Sequence, residues 1–234
     1  MKNLLRVALV VVLAAGALRS QPGSPTQTLP AVLAAMDQAS QKFRSAQAEF
    51  KWDQFESAVN EHDVQEGAIY FQRRGGQLQM MAHVTSPANA EKYAHYDGSA
   101  VKLFEVAPNR VTEYDTRKNK DTVETFLILG FGGSGQDLQK SFTVSLDGAE
   151  EINGVNTARL LLLPRSEKAR NVFDRIYLWI NPSTGISVRQ KFMEPQTGNY
   201  RDAWYTNIQL NGQLPRDAFR LPTNGRTQIV KPQG

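Results

Sequence analysis

From Ala46 onward, apolar and charged residues alternate one for one, with Ala48, Phe50 and Trp52 set against Glu49, Lys51 and Asp53. Successive side chains of an extended chain point to opposite faces, so a period of two demands a strand with one apolar and one wetted side. Similar runs recur near 63–73, 77–84, 91–97, 99–105 and 110–115, and again near 142–146, 155–164, 174–181, 185–194 and 200–210. Turn residues punctuate them: Gly75-Gly76, Pro87 with Asn89, Asp97-Gly98, Pro108-Asn109, Asn153-Gly154, the Asn181-to-Gly185 segment and Thr197-Gly198-Asn199. Runs joined this tightly pair antiparallel. About eleven strands are too many for a flat sheet. The expected fold is therefore mainly β with helices (α+β), an incomplete antiparallel β-barrel.

Two segments break the twofold period. Leu29, Val32, Leu33, Met36 and Phe43 recur at helical spacing and lay one apolar stripe along a helix over 30–44, which Pro30 can start. Thr122 to Lys140 holds Phe126-Leu127-Ile128-Leu129 followed by Gly130 to Gly135, which reads as two short helical turns split by a flexible loop. These helices have the size to cover one mouth of the curved sheet.

The N-terminus carries Lys2 and Arg6, an apolar stretch from Val7 to Leu18, and small residues at Ala15, Gly16 and Ala17. That order is a secretory signal peptide, with an apolar core shorter than the roughly 20 residues a membrane span needs. Cleavage is expected after Ala17, with Ser20 as the alternative, leaving 18–28 as a flexible leader and 29–234 as one domain. The chain has no Cys, which excludes disulfides and also the acylated Cys of a lipoprotein. Export to the periplasm as a free, monomeric protein is the expectation. Losing Lys2 and Arg6 leaves 25 basic against 23 acidic side chains, a net charge of +2, and the basic residues are scattered. Nucleic acid is not an expected partner.

Several candidate chemistries fail on context. Gly130-Phe131-Gly132-Gly133-Ser134-Gly135 has the G-x-G-x-x-G spacing of a dinucleotide loop, but no βαβ pattern surrounds it. His62, His83 and His95 lack companions at metal-ligand spacing. No G-x-S-x-G elbow is present. Neither an enzyme nor a cofactor or metal is expected.

Some strands carry more apolar surface than a half-wetted sheet needs. Ile69 and Phe71 oppose Tyr70, and Ile176, Leu178 and Ile180 oppose Tyr177 and Trp179. An apolar chamber on the concave side explains the excess, as does a packed core or a dimer face. Arg73 shares the parity of Ile69 and Phe71, so a guanidinium on that face must find acceptors, unless it lies past the strand end in solvent beside Arg74.

These residues resemble the LolA family of periplasmic lipoprotein carriers over nearly the whole mature chain. The likeness rests on Ala48-Glu49-Phe50 after the first helix, Gly67-Ala68-Ile69-Tyr70-Phe71 leading to Arg73, Asp97-Gly98, and Leu160 to Pro164. It continues through Ile176-Tyr177-Leu178-Trp179-Ile180, Asn207-Ile208-Gln209-Leu210-Asn211, Phe219 and Leu221-Pro222-Thr223-Asn224-Gly225. The resemblance implies an unclosed barrel whose hydrophobic interior is lidded by helices and shelters lipoprotein acyl chains. It implies an inner-membrane ABC exporter as donor and an outer-membrane acceptor. It also implies that Arg73 latches the lid, although Arg74 stands where the family usually has Pro. The residues expected to face the chamber are Leu33, Met36, Phe50, Trp52, Ile69, Phe71, Leu78, Met80, Phe126 and Leu129. The rival readings are a lipid- or lipoprotein-sensing interaction module on the same barrel, and a carrier of another lipid.

Overall fold

A computed structural model of the chain describes residues 27–127 and 129–232, so the expected signal peptide and most of the leader lie outside the described residues. The first half runs α1 (Leu29–Lys42), β1 (Ser45–Glu56), β2 (Glu61–Arg74), β3 (Gln77–Ser86), β4 (Lys92–Tyr96), β5 (Ala100–Glu105) and β6 (Arg110–Asp115). Helices α2 (Lys120–Leu127) and α3 (Gly135–Ser141) follow. The second half is β7 (Phe142–Ile152), β8 (Val155–Pro164), α4 (Glu167–Arg170), β9 (Arg175–Asn181), β10 (Ile186–Met193), β11 (Tyr200–Leu210) and β12 (Gln228–Val230).

The twelve strands among the described residues form one sheet, in the order β12-β6-β5-β4-β3-β2-β1-β11-β10-β9-β8-β7. Each half is an antiparallel meander, as hairpin turns require: Asn153 and Gly154 both take the left-handed conformation (φ 50° and 77°) that a two-residue hairpin turn needs. Strand β1 joins the halves, pairing Phe50 with Gly67 of β2 on one side and with Tyr205 of β11 on the other. The outermost strands β7 and β12 do not pair with each other, so the barrel is incomplete.

The structure adds elements that the period-two pattern does not show. Strand β12 is three residues long and runs parallel to β6. The chain between β11 and β12 passes over the convex face, where Pro215, Asp217, Ala218 and Arg220 lie against Tyr70, Met81, His83 and Tyr93. That covering buries the outward-facing Met81, Phe104 and Val111. The expected helix over 30–44 ends at Lys42, because Phe43 turns extended and drops its side chain into the core.

Strands β9 to β11 show why their outer face is also rich in aromatics. The Arg189 guanidinium lies between the Trp179 and Trp204 rings, 4.2 and 4.0 Å from their centroids. It meets Asp202 through two hydrogen bonds of 2.9 and 2.6 Å, and Trp179 donates to Glu150 at 2.5 Å. The apolar excess on both faces thus has two causes. The concave side packs under helices, and the convex side packs under a strap and around a stacked cation.

The Asp97-Gly98 turn carries a stability device of its own. The Asp97 carboxylate accepts hydrogen bonds from the Ser99 and Ala100 amides, the Ser99 hydroxyl and Lys102 Nζ at 2.7–3.0 Å. Burial pushes its pKa up, but the Lys102 and Ser99 bonds outweigh burial and hold it well below the usual carboxylate range. A carboxyl whose folded pKa is depressed adds stability above its unfolded value of about 3.9 and loses it as the pH falls further. Asp97→Asn should therefore lower the Tm near neutral pH, with the gap to the unmodified protein narrowing below about pH 4; thermal unfolding across a pH series measures this.

Candidate functional site on the concave face

The concave face is mainly apolar and divides into two clusters. The first joins Ala46, Ala48, Phe50, Ile69, Phe71, Leu78, Met80 and Ala82 from β1 to β3, with Trp52 packed against it. The second joins Phe142, Leu160, Leu162, Ile176, Leu178 and Phe192 from β7 to β10 with Val32, Leu33 and Met36 of α1, and with Leu129. Helix α2 bridges them: Val123 and Leu127 pack on the first cluster and Phe126 on the second. The structure thus gathers all ten residues expected to face a chamber onto one wall-and-lid system.

In this form the upper concavity is occupied by the protein itself. Phe131, from the loop between α2 and α3, is buried with its ring 5.2 Å from Phe71 and 4.7 Å from Tyr205. The glycines around it have a geometric reason to be there. Gly130 (φ 77°) and Gly132 (φ 89°) adopt a left-handed backbone. An added Cβ would sit 2.2 Å from Ser187 Cβ at Gly130 and 2.7 Å from the Phe43 ring at Gly132. The dinucleotide-like spacing is therefore a close-packing signature, and it swings a phenyl ring into the barrel.

A few polar contacts hold this cover in place. The Ser187 amide donates to the Gly130 carbonyl at 2.8 Å, the buried Gln190 amide donates to the Leu129 carbonyl, and the Ser40 hydroxyl donates to the Gly132 carbonyl at 2.8 Å. Tyr96, fully buried on the inner face of β4, donates to the Glu124 carboxylate of α2 at 2.9 Å. Burial first and Glu124 second push the Tyr96 hydroxyl pKa up.

Arg73, the expected latch, plays a different part from the one foreseen. Its guanidinium lies over the Phe43 ring at 5.6 Å, and its charge acts on Asp137 of α3, whose pKa is held down chiefly by Lys140 and Ser134. Among the described residues its side chain makes no hydrogen bond to a carbonyl of the helices. Ser187, Gln190, Tyr96 and Glu124 do the tying instead. None of these carried a sequence signal, whereas Phe131 did, as the one large side chain inside a run of glycines.

A cleft of about 250 Å³ opens between α1 and the β9–β10 turn, lined by Ala35, Ala39, Pro182 and Leu210 and floored by Phe43 and Ile186 of the first cluster. Two larger grooves lie on the outside. One, of about 540 Å³, runs under the strap beside His83 and Tyr93, and the other, of about 660 Å³, is bordered by Lys51, Glu66, Asn153 and Trp204. The histidines are on strands, His62 at 2.8 Å from Asp53 and His83 at 2.9 Å from Glu91. Among the described residues no group of three or more His, Asp or Glu side chains is placed to hold a metal ion, and no helix is long and apolar enough to cross a membrane.

No protein-family model matches the sequence, and no curated protein sequence does. Solved structures do match. A conserved protein from Thermus thermophilus, described as uncharacterized, aligns with 88% of this chain and 100% of its own at 10% identity, with a TM-score of 0.56. MucB aligns with 86% of this chain and 65% of its own at 11% identity, with a TM-score of 0.54. A LolA superfamily protein from Nitrosomonas europaea aligns with 83% of this chain and 98% of its own at 12% identity, with a TM-score of 0.40. At such identities the likeness is one of fold, and that fold is an unclosed antiparallel barrel covered by helices on its concave side.

Proposed function

We propose that the protein is a periplasmic, non-enzymatic carrier that takes lipoprotein acyl chains into its concavity and moves them from the inner to the outer membrane. The observation that carries this reading is Phe131, a hydrocarbon group on a glycine-flanked loop, occupying the barrel where a guest chain would lie. Entry is through the cleft between α1 and the β9–β10 turn, with α2 and the Phe131 loop lifting as the chain arrives.

Magnitudes support a displaced plug. Moving a methylene from water into an apolar site gains about 0.8 kcal/mol, so a chain of about sixteen carbons gains on the order of 12 kcal/mol gross. A carrier keeping all of that would not release its cargo. Expelling Phe131 and breaking the Tyr96–Glu124 and Gln190–Leu129 hydrogen bonds each offset part of the gain. The donor in this reading is an inner-membrane ABC exporter and the recipient an outer-membrane acceptor.

The test is titration of the purified protein with a fluorescent fatty acid. The carrier reading expects saturable one-to-one binding that unlabelled lipid displaces. An interaction module that binds only another protein would show no saturable signal.

A further inference from the structure

The concave face holds one cation that the carrier reading leaves unexplained. Arg201 of β11 lies opposite Phe192 of β10 and Gln54 of β1, on the inward side shared by Ala203 and Tyr205. Its guanidinium rests 4.6 Å from the centre of the Phe192 ring. The side chain keeps exposed surface, yet enough protein surrounds it that burial lowers its pKa, the combination expected of a group lining a hollow rather than an outer surface.

Its electrostatic surroundings differ from those of the ion-paired arginines. Arg110, Arg117, Arg159, Arg175 and Arg189 each have a carboxylate within 3 Å. Arg201 makes no such pair among the described residues, and the group that acts on it is the neutral Tyr205 hydroxyl. A second donor waits on the same wall. Trp52, opposite Ala203, has its indole N–H buried, near enough to affect Tyr205 but without a hydrogen bond of normal geometry. A guanidinium that solvent reaches and an unpaired indole N–H, on the same face of neighbouring strands, are donors without an acceptor.

We propose that Arg201 receives the anionic head group of a single-chain amphiphile, a carboxylate or a phosphate, whose hydrocarbon tail runs along the concave face toward Phe131. The distances suit this: Tyr205, which touches Phe131, lies four residues along β11 from Arg201, about 13 Å at the rise of an extended strand. The proposal rests on the hydrocarbon-carrier part of the proposed function and departs from its lipoprotein cargo. Ester- and amide-linked acyl chains carry no charge for Arg201 to meet, so free acids or alkyl phosphates are the preferred guests.

Calorimetric titration with hexadecanoate, hexadecyl phosphate and hexadecanol, three heads on one tail, tests it. Both anions should bind the unmodified protein about ten- to a hundredfold tighter than the alcohol. Arg201→Gln should bring the anions down to the affinity of hexadecanol and leave hexadecanol unchanged, while Arg201→Lys should keep part of the preference. The tighter of the two anions identifies the head group. Equal affinity of all three for the unmodified protein, or an equal loss for all three in Arg201→Gln, overturns the proposal and leaves the carrier reading standing. If none of the three binds, both fall together.

Discussion

Phe131→Ala should bind a fluorescent fatty acid about ten- to a hundredfold more tightly than the unmodified protein while unfolding at a lower denaturant concentration. Both effects have one cause. The Phe131 ring is buried between Phe71 and Tyr205, so its removal leaves a void that the closed state cannot refill. Phe-to-Ala truncations of this kind cost about 3–5 kcal/mol of stability. A guest chain no longer has to expel the ring, and the roughly 1.5–3 kcal/mol that burying a Phe contributes returns to the guest as about one to two decades of affinity. A plain core residue gives the stability loss without tighter binding; Leu160→Ala, fully buried in β8 under α1, is the control for that outcome.

The second large effect lies on the opposite face. Asp202→Ala should cost about 3 kcal/mol, because it leaves Arg189 stacked between two indoles with its best acceptor gone. The pair is well shielded, with side-chain exposures of 15% and 9% for Arg189 and Asp202. Glu150, at 3.4 Å, offers a partial substitute. Replacing both partners, as Arg189→Met with Asp202→Leu, should recover much of the loss, since the uncompensated charge is then removed. Denaturant unfolding of the single and double variants measures this. Lipid binding should be unchanged in both, because the cluster is on the convex side.

The strands were legible in the sequence because their signal is local. Alternation such as Phe50-Lys51-Trp52-Asp53 and turns such as Asn153-Gly154 depend on neighbours in the chain, and eleven of the twelve strands follow from them. Strand β12 does not, since three exposed residues show no period and pair only because the strap delivers them to β6. The same strap explains why Met81 and Phe104, outward by parity, are buried. The ten residues expected to face a chamber all lie in the two apolar clusters or pack against them, and the strand members share their face by parity. The contacts that close the lid were not, because Gln190 with Leu129 and Tyr96 with Glu124 are separated by 61 and 28 residues. Arg73 was placed on the right face by parity, but what it meets there is set by Phe43, which leaves α1 one residue after its end.

On the carrier reading, hydrocarbon enters the space Phe131 now fills. Photocrosslinking with a fatty acid carrying a diazirine at its tail, followed by peptide mapping, tests it most directly. Adducts are expected on β1 to β3, on β11 and on the Phe131 loop, suppressed by excess hexadecanoate. Adducts confined to the outer groove around Tyr70, His83 and Tyr93, with the concave strands unlabelled, would contradict it.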